Sequence, residues 1–433
     1  MAAVRLPCPS GFERRRNSGK NRAAIAPSKQ QKSETVKYIS TRGQAPVLGF
    51  CDTMLAGLAS DGGLYVPESW PHFSADAIRA LRGKSYADVA VTVMWPFVEG
   101  EIERTTFETI VRDAYATFRH EAVCPLVQTG ANEFVLELFH GPTLAFKDVA
   151  MQLIGRLMDH VLAERDQRAT IVGATSGDTG GAAIEAFAGR ARTDIFILFP
   201  KGRVSPVQQR QMTSSKEANV HALAIEGNFD DCQGLLKDMF NHPAFRQSVK
   251  LSGVNSINWA RIMAQVVYYF TSAVSLGAPE RPVSFTVPTG NFGDIFAGYV
   301  AKQMGLPVDT LGIATNDNDI LARTLETGIY EMRGVVKTTS PSMDIQISSN
   351  FERLLFDASG RSAAASTWLV ENGFGRVPET VVDARVGYAS RRFSLPGEQA
   401  MLPAGDWKVA ACAWLPPDNR RAGGLYQEEN GVW

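Results

Sequence analysis

From residue 133 onward short apolar runs alternate with amphipathic helical stretches, and two glycine-rich turns, at 174–182 and 288–294, each stand between a run and a helix. Together these features predict an α/β protein whose parallel sheet is covered by helices on both faces. At 433 residues the chain exceeds one ordinary core and predicts two domains with a small third layer. The predicted order is strand 134–139, helix 149–163, strand 170–175, helix 182–188, strand 195–199, helix 206–214, strand 220–225 and helix 229–240. A long helix at 259–274, strand 284–287, helix 295–304, strand 311–314 and helix 319–324 complete the series. In such sheets ligands sit at the carboxyl ends of the strands, where most of the glycine-rich turns fall.

Before residue 133 the pattern is mixed. A Gly62-Gly63 turn, a short strand at 64–66 and helical stretches around 74–83 and 105–118 suggest an accessory layer. The chain is therefore divided into a disordered extension at 1–36, an N-terminal accessory domain at 37–130, an α/β core of two interleaved subdomains at 131–362 and an atypical tail at 363–433. The first 37 residues carry nine Lys or Arg against two Glu and lack a clear amphipathic helix. This reads as an extension on a cytoplasmic protein, with an organellar transit peptide as the alternative.

Composition narrows the function. Hydrophobic residues make up 45% and charged residues 21%, and 44 Lys+Arg balance 45 Asp+Glu, so no basic excess recruits nucleic acid. Any anion must be held by a local site. Cys8, Cys51, Cys124, Cys232 and Cys412 are scattered without a C-x-x-C pair, which predicts a reducing compartment and no zinc site. The six histidines never reach metal-ligand spacing, and no window approaches the roughly 18 apolar residues of a membrane span.

Three local patterns carry chemistry. Lys147 follows a strand and a Gly-Pro turn and sits at a helix start between Phe146 and Val149. Apolar neighbours desolvate an amine, lower its pKa and favour the free base that attacks an aldehyde, although a lysine at a helix start is more often a solvated surface residue. The run Ala-Thr-Ser-Gly-Asp-Thr-Gly-Gly-Ala at 174–182 exceeds what capping needs, and its glycines and hydroxyls suit an anion at a helix start. The run Pro-Thr-Gly-Asn-Phe-Gly-Asp at 288–294 is shaped for one phosphate. It lacks the Gly-Lys-Ser/Thr ending of a P-loop and is not G-x-G-x-x-G. A desolvated lysine with two anion cradles, all at strand ends, describes a pyridoxal phosphate site.

These residues resemble the threonine synthase family, in its longer microbial and fungal form. The resemblance runs in order through Lys-Tyr-Ile-Ser-Thr-Arg-Gly at 37–43, Ser-Asp-Gly-Gly-Leu-Tyr-Val-Pro at 60–67, the stretch 139–148, the Ser-Gly-Asp-Thr-Gly turn, Pro-Lys-Gly-Arg-Val-Ser-Pro at 200–206, Asn-Ser-Ile-Asn-Trp-Ala-Arg at 255–261, the Gly-Asn-Phe-Gly-Asp loop and Ser-Ser-Asn-Phe-Glu-Arg at 348–353. It implies a fold-type-II, tryptophan synthase β-like enzyme that binds pyridoxal 5'-phosphate. It also implies conversion of O-phospho-L-homoserine and water to L-threonine and phosphate by a monomer or homodimer.

Carried over residue by residue, the resemblance makes Lys147 the Schiff-base lysine and proton carrier, and Gly290, Asn291, Phe292, Gly293 and Asp294 the cofactor-phosphate loop. It places Asp178 near the cofactor's ring hydroxyl, where related enzymes often have Asn, and Ser176, Gly177 and Thr179 near the substrate carboxylate. Lys201, Arg203 and Arg210, with Ser348, Ser349 and Asn350, are the expected contacts of the substrate phosphate. The run 255–261 reads as a capped helix packed on the core, without chemistry.

Beyond about residue 362 the resemblance stops. A motif close to Asp-Pro-His-Thr-Ala, whose hydroxyl would face the pyridine nitrogen, is absent from the sequence. The Pro-, Arg- and Trp-rich segment in its place is what a shifted frame or a degenerated tail produces. It is expected to be poorly ordered and to weaken cofactor binding and turnover. The alternative readings are a threonine-synthase-like phospholyase releasing 2-oxobutyrate, a dehydratase or cysteine synthase of the same fold, and a non-catalytic cofactor-binding remnant.

Overall fold

The computed structural model describes residues 35–358 and the backbone of four short strands, Ala3–Arg5, Arg392–Ser394, Asp406–Ala410 and Gly424–Gln427. The expectations for the N-terminal extension and the C-terminal tail otherwise lie outside the described residues. In chain order the elements are β1 (Ala3–Arg5), β2 (Tyr38–Ser40), α1 (Phe50–Ala56), β3 (Tyr65–Pro67), α2 (Ala75–Arg79), α3 (Tyr86–Val98), α4 (Arg104–Tyr115), β4 (Leu126–Gly130), β5 (Glu133–Leu136) and α5 (Asp148–Glu164). The core continues with β6 (Ala169–Ala174), α6 (Asp178–Phe187), β7 (Thr193–Pro200), α7 (Pro206–Thr213), β8 (Val220–Ile225), α8 (Phe229–Asn241), α9 (Pro243–Ser248) and β9 (Leu251–Ser252). Then follow α10 (Trp259–Ser275), β10 (Val283–Pro288), α11 (Gly293–Gln303), β11 (Val308–Ala314), α12 (Ile320–Thr327) and α13 (Phe351–Ala358).

Two parallel sheets form the core. One has the order β8-β7-β6-β9 with every pairing parallel, and the other pairs β10 with β11 in parallel and carries β1 antiparallel on its edge. The β-branched residues of the central strands, such as Ile171, Val172, Ile195 and Ile197, are buried because helices cover both faces. The helix α10 packs against α3, α5 and α11 and so joins the accessory layer to the core. It is apolar nearly all round, as a central helix must be. At its start Asn258 accepts the Ala260 N–H as N-cap, and Trp259 lies among Tyr38, Trp70 and Phe97.

The strand predicted at 134–139 is not the first strand of a parallel sheet. It is β5, half of an antiparallel hairpin with β4 outside the core, with Val127 and Val135 exposed. A short apolar run does not specify its partner, and here the two-residue connection at 131–132 closes a local hairpin first. Helix α6 begins at Asp178, so most of the glycine-rich turn forms its first turn and the loop before it is short. Helices α1, α3 and α9 and strand β4 escaped the sequence pattern. In α3 the buried residues run nearly round the helix and Pro96 interrupts the pattern, so there is little amphipathic contrast to read.

Candidate active site

Lys147 is the N-cap residue of α5, held there by the loop that precedes it. Thr143 donates from its N–H and Oγ1 to Asp148 at 2.8 and 2.7 Å, and Gln211 donates to the Thr143 carbonyl at 3.0 Å. This knot turns the Lys147 side chain inward, where the residue is 7% exposed. Burial lowers its proton affinity below the ordinary lysine value, opposed by the carboxylate of Asp178 and reinforced by the positive charge of Arg261. Its Nζ lies 3.3 Å from Asp178 Oδ2 and 4.6 Å from the centre of the Phe146 ring.

Asp178 opens α6 and is fixed from its other side by Gln208 Nε2, which donates to Oδ1 at 2.5 Å. Gln208 reaches this point because Ser205 caps α7 by accepting the Gln208 N–H. Gly177 makes the crossing possible. Its φ is +149°, and a Cβ there would fall 2.2 Å from Gln208 Oε1. Thr175 Oγ1 accepts from the N–H groups of Gly177 and Gly180 at 3.0 and 2.9 Å. The hydroxyls of Ser176 and Thr179 and the N–H groups of Ser176, Asp178 and Thr179 have no protein partner among the described residues.

The second cradle lies between β10 and α11. Phe292 takes the left-handed conformation at φ +61° and is 2% exposed, its ring edge-on to Phe351 at 5.2 Å, so burial offsets the backbone strain. Gly290 passes so close to the 340–345 turn that a Cβ would lie 3.2 Å from Met343 Cα. The loop is braced from behind. Ser348 Oγ donates to the Gly290 carbonyl at 2.6 Å, the Ser349 N–H to Asn291 Oδ1 at 2.6 Å, and Asn350 Nδ2 to the Asn291 carbonyl at 3.1 Å. Asn291 Nδ2 donates in turn to Ser256 Oγ. With the carbonyls engaged, the N–H groups of Gly290, Asn291, Phe292 and Gly293 donate to no protein group among the described residues and stand at the start of α11.

The sequence-predicted residues thus separate. Lys147, Asp178, Ser176, Gly177 and Thr179 meet at the ends of β6 and α5. Gly290, Asn291, Phe292 and Gly293 form a second cradle at the end of β10. Asp294 turns toward α10: its carboxylate accepts from the hydroxyls of Tyr268 and Tyr269, pinning α11 to α10. Ser348 and Asn350, 1% and 0% exposed, direct their side chains to the loop and to Arg353 and so brace the cradle. Ser349 braces it through its N–H and keeps its hydroxyl without a partner among the described residues. Lys201 is exposed and paired with Glu226, whereas Arg203 and Arg210 are exposed and make no side-chain bond among the described residues. Sequence reasoning missed Gln208, Ser256 and Tyr330, whose hydroxyl accepts the Ser348 N–H, because nothing local marks a residue that contributes by reaching another segment.

Two family models match this chain. A model described as "Threonine synthase N terminus" matches residues 37–115, and one described as "Pyridoxal-phosphate dependent enzyme" matches 123–367. The threonine synthase of Pseudomonas aeruginosa is 58% identical over 336 residues, 78% of this chain and 72% of that protein. The chain belongs to the threonine synthase family.

It shares the fold of solved threonine synthases. The pyridoxal-phosphate-bound enzyme from Brucella melitensis superposes with a TM-score of 0.75 at 71% identity, covering 80% of this chain and 77% of that one. The yeast threonine synthase gives a TM-score of 0.73 at 41% identity, covering 82% and 75%. The fold-type-II architecture and the pyridoxal phosphate cofactor expected from the sequence are those of the family. The match to the second model ends at residue 367, close to where the sequence resemblance stops.

The residues present fit the cofactor of this threonine synthase family member. A buried amine of lowered proton affinity suits an attachment point, and a cradle of unpaired N–H groups in a left-handed bend at a helix start suits a phosphate. Among the described residues no group of three or more His, Cys, Asp or Glu could hold a metal, and no helix is long and apolar enough to cross a membrane.

Proposed function

We propose that this protein converts O-phospho-L-homoserine and water to L-threonine and phosphate, with Lys147 as cofactor attachment point and proton carrier. Pyridoxal phosphate, held by Lys147 and the 290–293 loop, would supply an electron sink for the negative charge that develops on the substrate carbons. The observation that carries the reading is the buried Lys147 amine, paired with Asp178 in the first turn of α6.

The protein's own residues do the rest. Burial keeps Lys147 readier to be a free amine at neutral pH than an ordinary lysine, and Asp178 holds that amine in one position when it carries a proton. As a free amine, Lys147 would take the α proton of the substrate and then a β proton. The Cγ–O bond breaks to release phosphate, a proton goes to Cγ, water adds its hydroxyl at Cβ, and a proton returns to Cα to give threonine. Ser176 and Thr179, with the free N–H groups of the first turn of α6, receive the substrate carboxylate. Arg203 and Arg210 draw in the substrate phosphate in this reading, which their exposure and lack of ion-pair partners among the described residues support.

The experiment is to incubate the loaded protein with O-phospho-L-homoserine and follow phosphate, threonine and 2-oxobutyrate together. Equal release of phosphate and threonine supports the synthase. Phosphate with 2-oxobutyrate identifies the phospholyase instead, and no product would sink both.

A further inference from the structure

Away from the catalytic cleft, a groove of about 460 Å³ lies between the end of α1, the end of α5 and the segment that leads from α9 into β9. Its walls carry Arg165, Arg168, Arg246 and Lys250 against one carboxylate among the described residues, Asp52. The whole chain is balanced at 44 Lys+Arg to 45 Asp+Glu, so this excess of positive charge is local. The groove is a separate site. Arg165 is the C-cap of α5 and Lys147 its N-cap, so the 17 residues of the helix, at a rise of about 1.5 Å each, set the two about 25 Å apart. Strand β6 likewise starts at the groove with Ala169 and leads at its other end into the turn of Asp178.

The four cations differ in what they already hold. Arg165 pairs with Asp52 at 2.5 Å, and Arg168 pairs with Asp194 at 2.8 Å and donates to the Ala191 carbonyl at 2.6 Å. Arg246 and Lys250 have no carboxylate partner among the described residues. The Arg246 guanidinium stands 5.7 Å from the centre of the Phe240 ring, which narrows the positions it can take. Lys250 sits at φ +50°, in the left-handed region that glycine or asparagine usually occupies after a helix. Its carbonyl accepts the Thr170 N–H at 3.2 Å and its own N–H donates to the Gln247 carbonyl at 3.3 Å, which fixes the backbone there. A lysine is thus kept where a glycine would be less strained. Beneath the cations Leu162 and Leu251, 2% and 5% exposed, form an apolar floor with Leu55.

We propose that this groove binds an organic phosphate carrying at least two negative charges. The two unspent cations supply the charge, the guanidinium forks of Arg165 and Arg168 add donors at the rim, and the floor takes an apolar group. The volume lies within the range of small-molecule sites and exceeds what inorganic phosphate fills. The proposal is independent of the reaction assigned to the catalytic cleft.

The test titrates the pyridoxal-phosphate-loaded protein, desalted to remove excess cofactor, with adenosine diphosphate and with pyrophosphate by calorimetry. Adenosine diphosphate is expected to bind, and Arg246→Gln and Lys250→Gln are each expected to weaken it about tenfold. Pyrophosphate, which has no group for the floor, is expected to bind more weakly. Lys250→Gly guards against a folding defect: glycine suits the left-handed backbone, so this variant should melt close to the parent and still lose the same affinity. Arg203→Gln, altered in the proposed substrate-phosphate contact, should bind adenosine diphosphate as the parent does. Absence of binding to the parent, or parental affinity in Arg246→Gln, Lys250→Gln and Lys250→Gly, would overturn the proposal. A loss confined to Arg203→Gln would also overturn it, by placing the nucleotide in the catalytic cleft. Equal affinity for the two probes would overturn the assignment of an organic ligand.

Discussion

Lys147 Nζ and Asp178 Oδ2 stand 3.3 Å apart, the first from the start of α5 and the second from the first turn of α6. Two helices packed against each other therefore present opposite charges across one gap. Desolvation pushes the lysine toward its neutral form, and the carboxylate pulls it back.

Replacing Asp178 with Asn removes the pull and leaves the desolvation. The proton affinity of Lys147 then falls, and the pH midpoint for condensation with pyridoxal phosphate moves down. Stopped-flow absorbance of the stripped protein across a pH series measures it. An upward shift would show that the ion pair does not govern the amine. The stability sign is fixed by the same shift: the unfolded lysine binds its proton more tightly than the buried one. Stability therefore rises with pH between the lowered folded value and the ordinary lysine value.

Lys147→Ala should abolish the visible absorbance of the bound cofactor and lower kcat/KM by at least about 10³-fold, since attachment and proton transfer are both lost. Thermal unfolding should show no loss, because the variant removes a buried charge. Retained threonine formation at the parental rate would remove Lys147 from the mechanism.

Gly177→Ala places a methyl group against Gln208 and forces a left-handed backbone on an L-residue. The Gln208 bond to Asp178 is lost and the fold is expected to weaken by about 1–3 kcal/mol. Gln208→Ala removes the same bond without the strain. A fall in kcat/KM shared by both variants, with destabilisation only in the first, is the expected pattern in denaturation and steady-state assays.

Asn291→Ala releases both Ser256 and the Ser349 N–H from the phosphate cradle. Affinity for pyridoxal phosphate should fall about tenfold, with roughly 1–3 kcal/mol lost from stability. Cofactor titration and thermal melts measure the two effects. Unchanged affinity would mean that the cradle holds its shape without this brace.

Arg203→Gln and Arg210→Gln should raise KM for O-phospho-L-homoserine while leaving kcat close to the parent, as expected for a phosphate contact made equally in ground and transition states. Lys201→Gln is expected to change neither by more than about twofold, because this lysine is exposed and already paired with Glu226. Steady-state kinetics on the three variants checks the order of effects.

Much of this protein was legible along the chain because parallel sheets with both faces covered leave continuous apolar strands and amphipathic helices between glycine-rich turns. Lys147, the turn at 174–182 and the loop at 288–294 could be found because each is a contiguous run whose backbone does the work. Tertiary structure alone decided which polar groups remain unspent. Ser348, Asn350 and Asp294 resemble ligand contacts in sequence, yet long-range hydrogen bonds engage them as braces. Gln208 and Arg261 look unremarkable, and only packing sets one against Asp178 and leaves the other buried without a counter-charge. The physical reason is that a sequence lists donors and charges, whereas burial and pairing between distant segments determine which of them are left for a ligand.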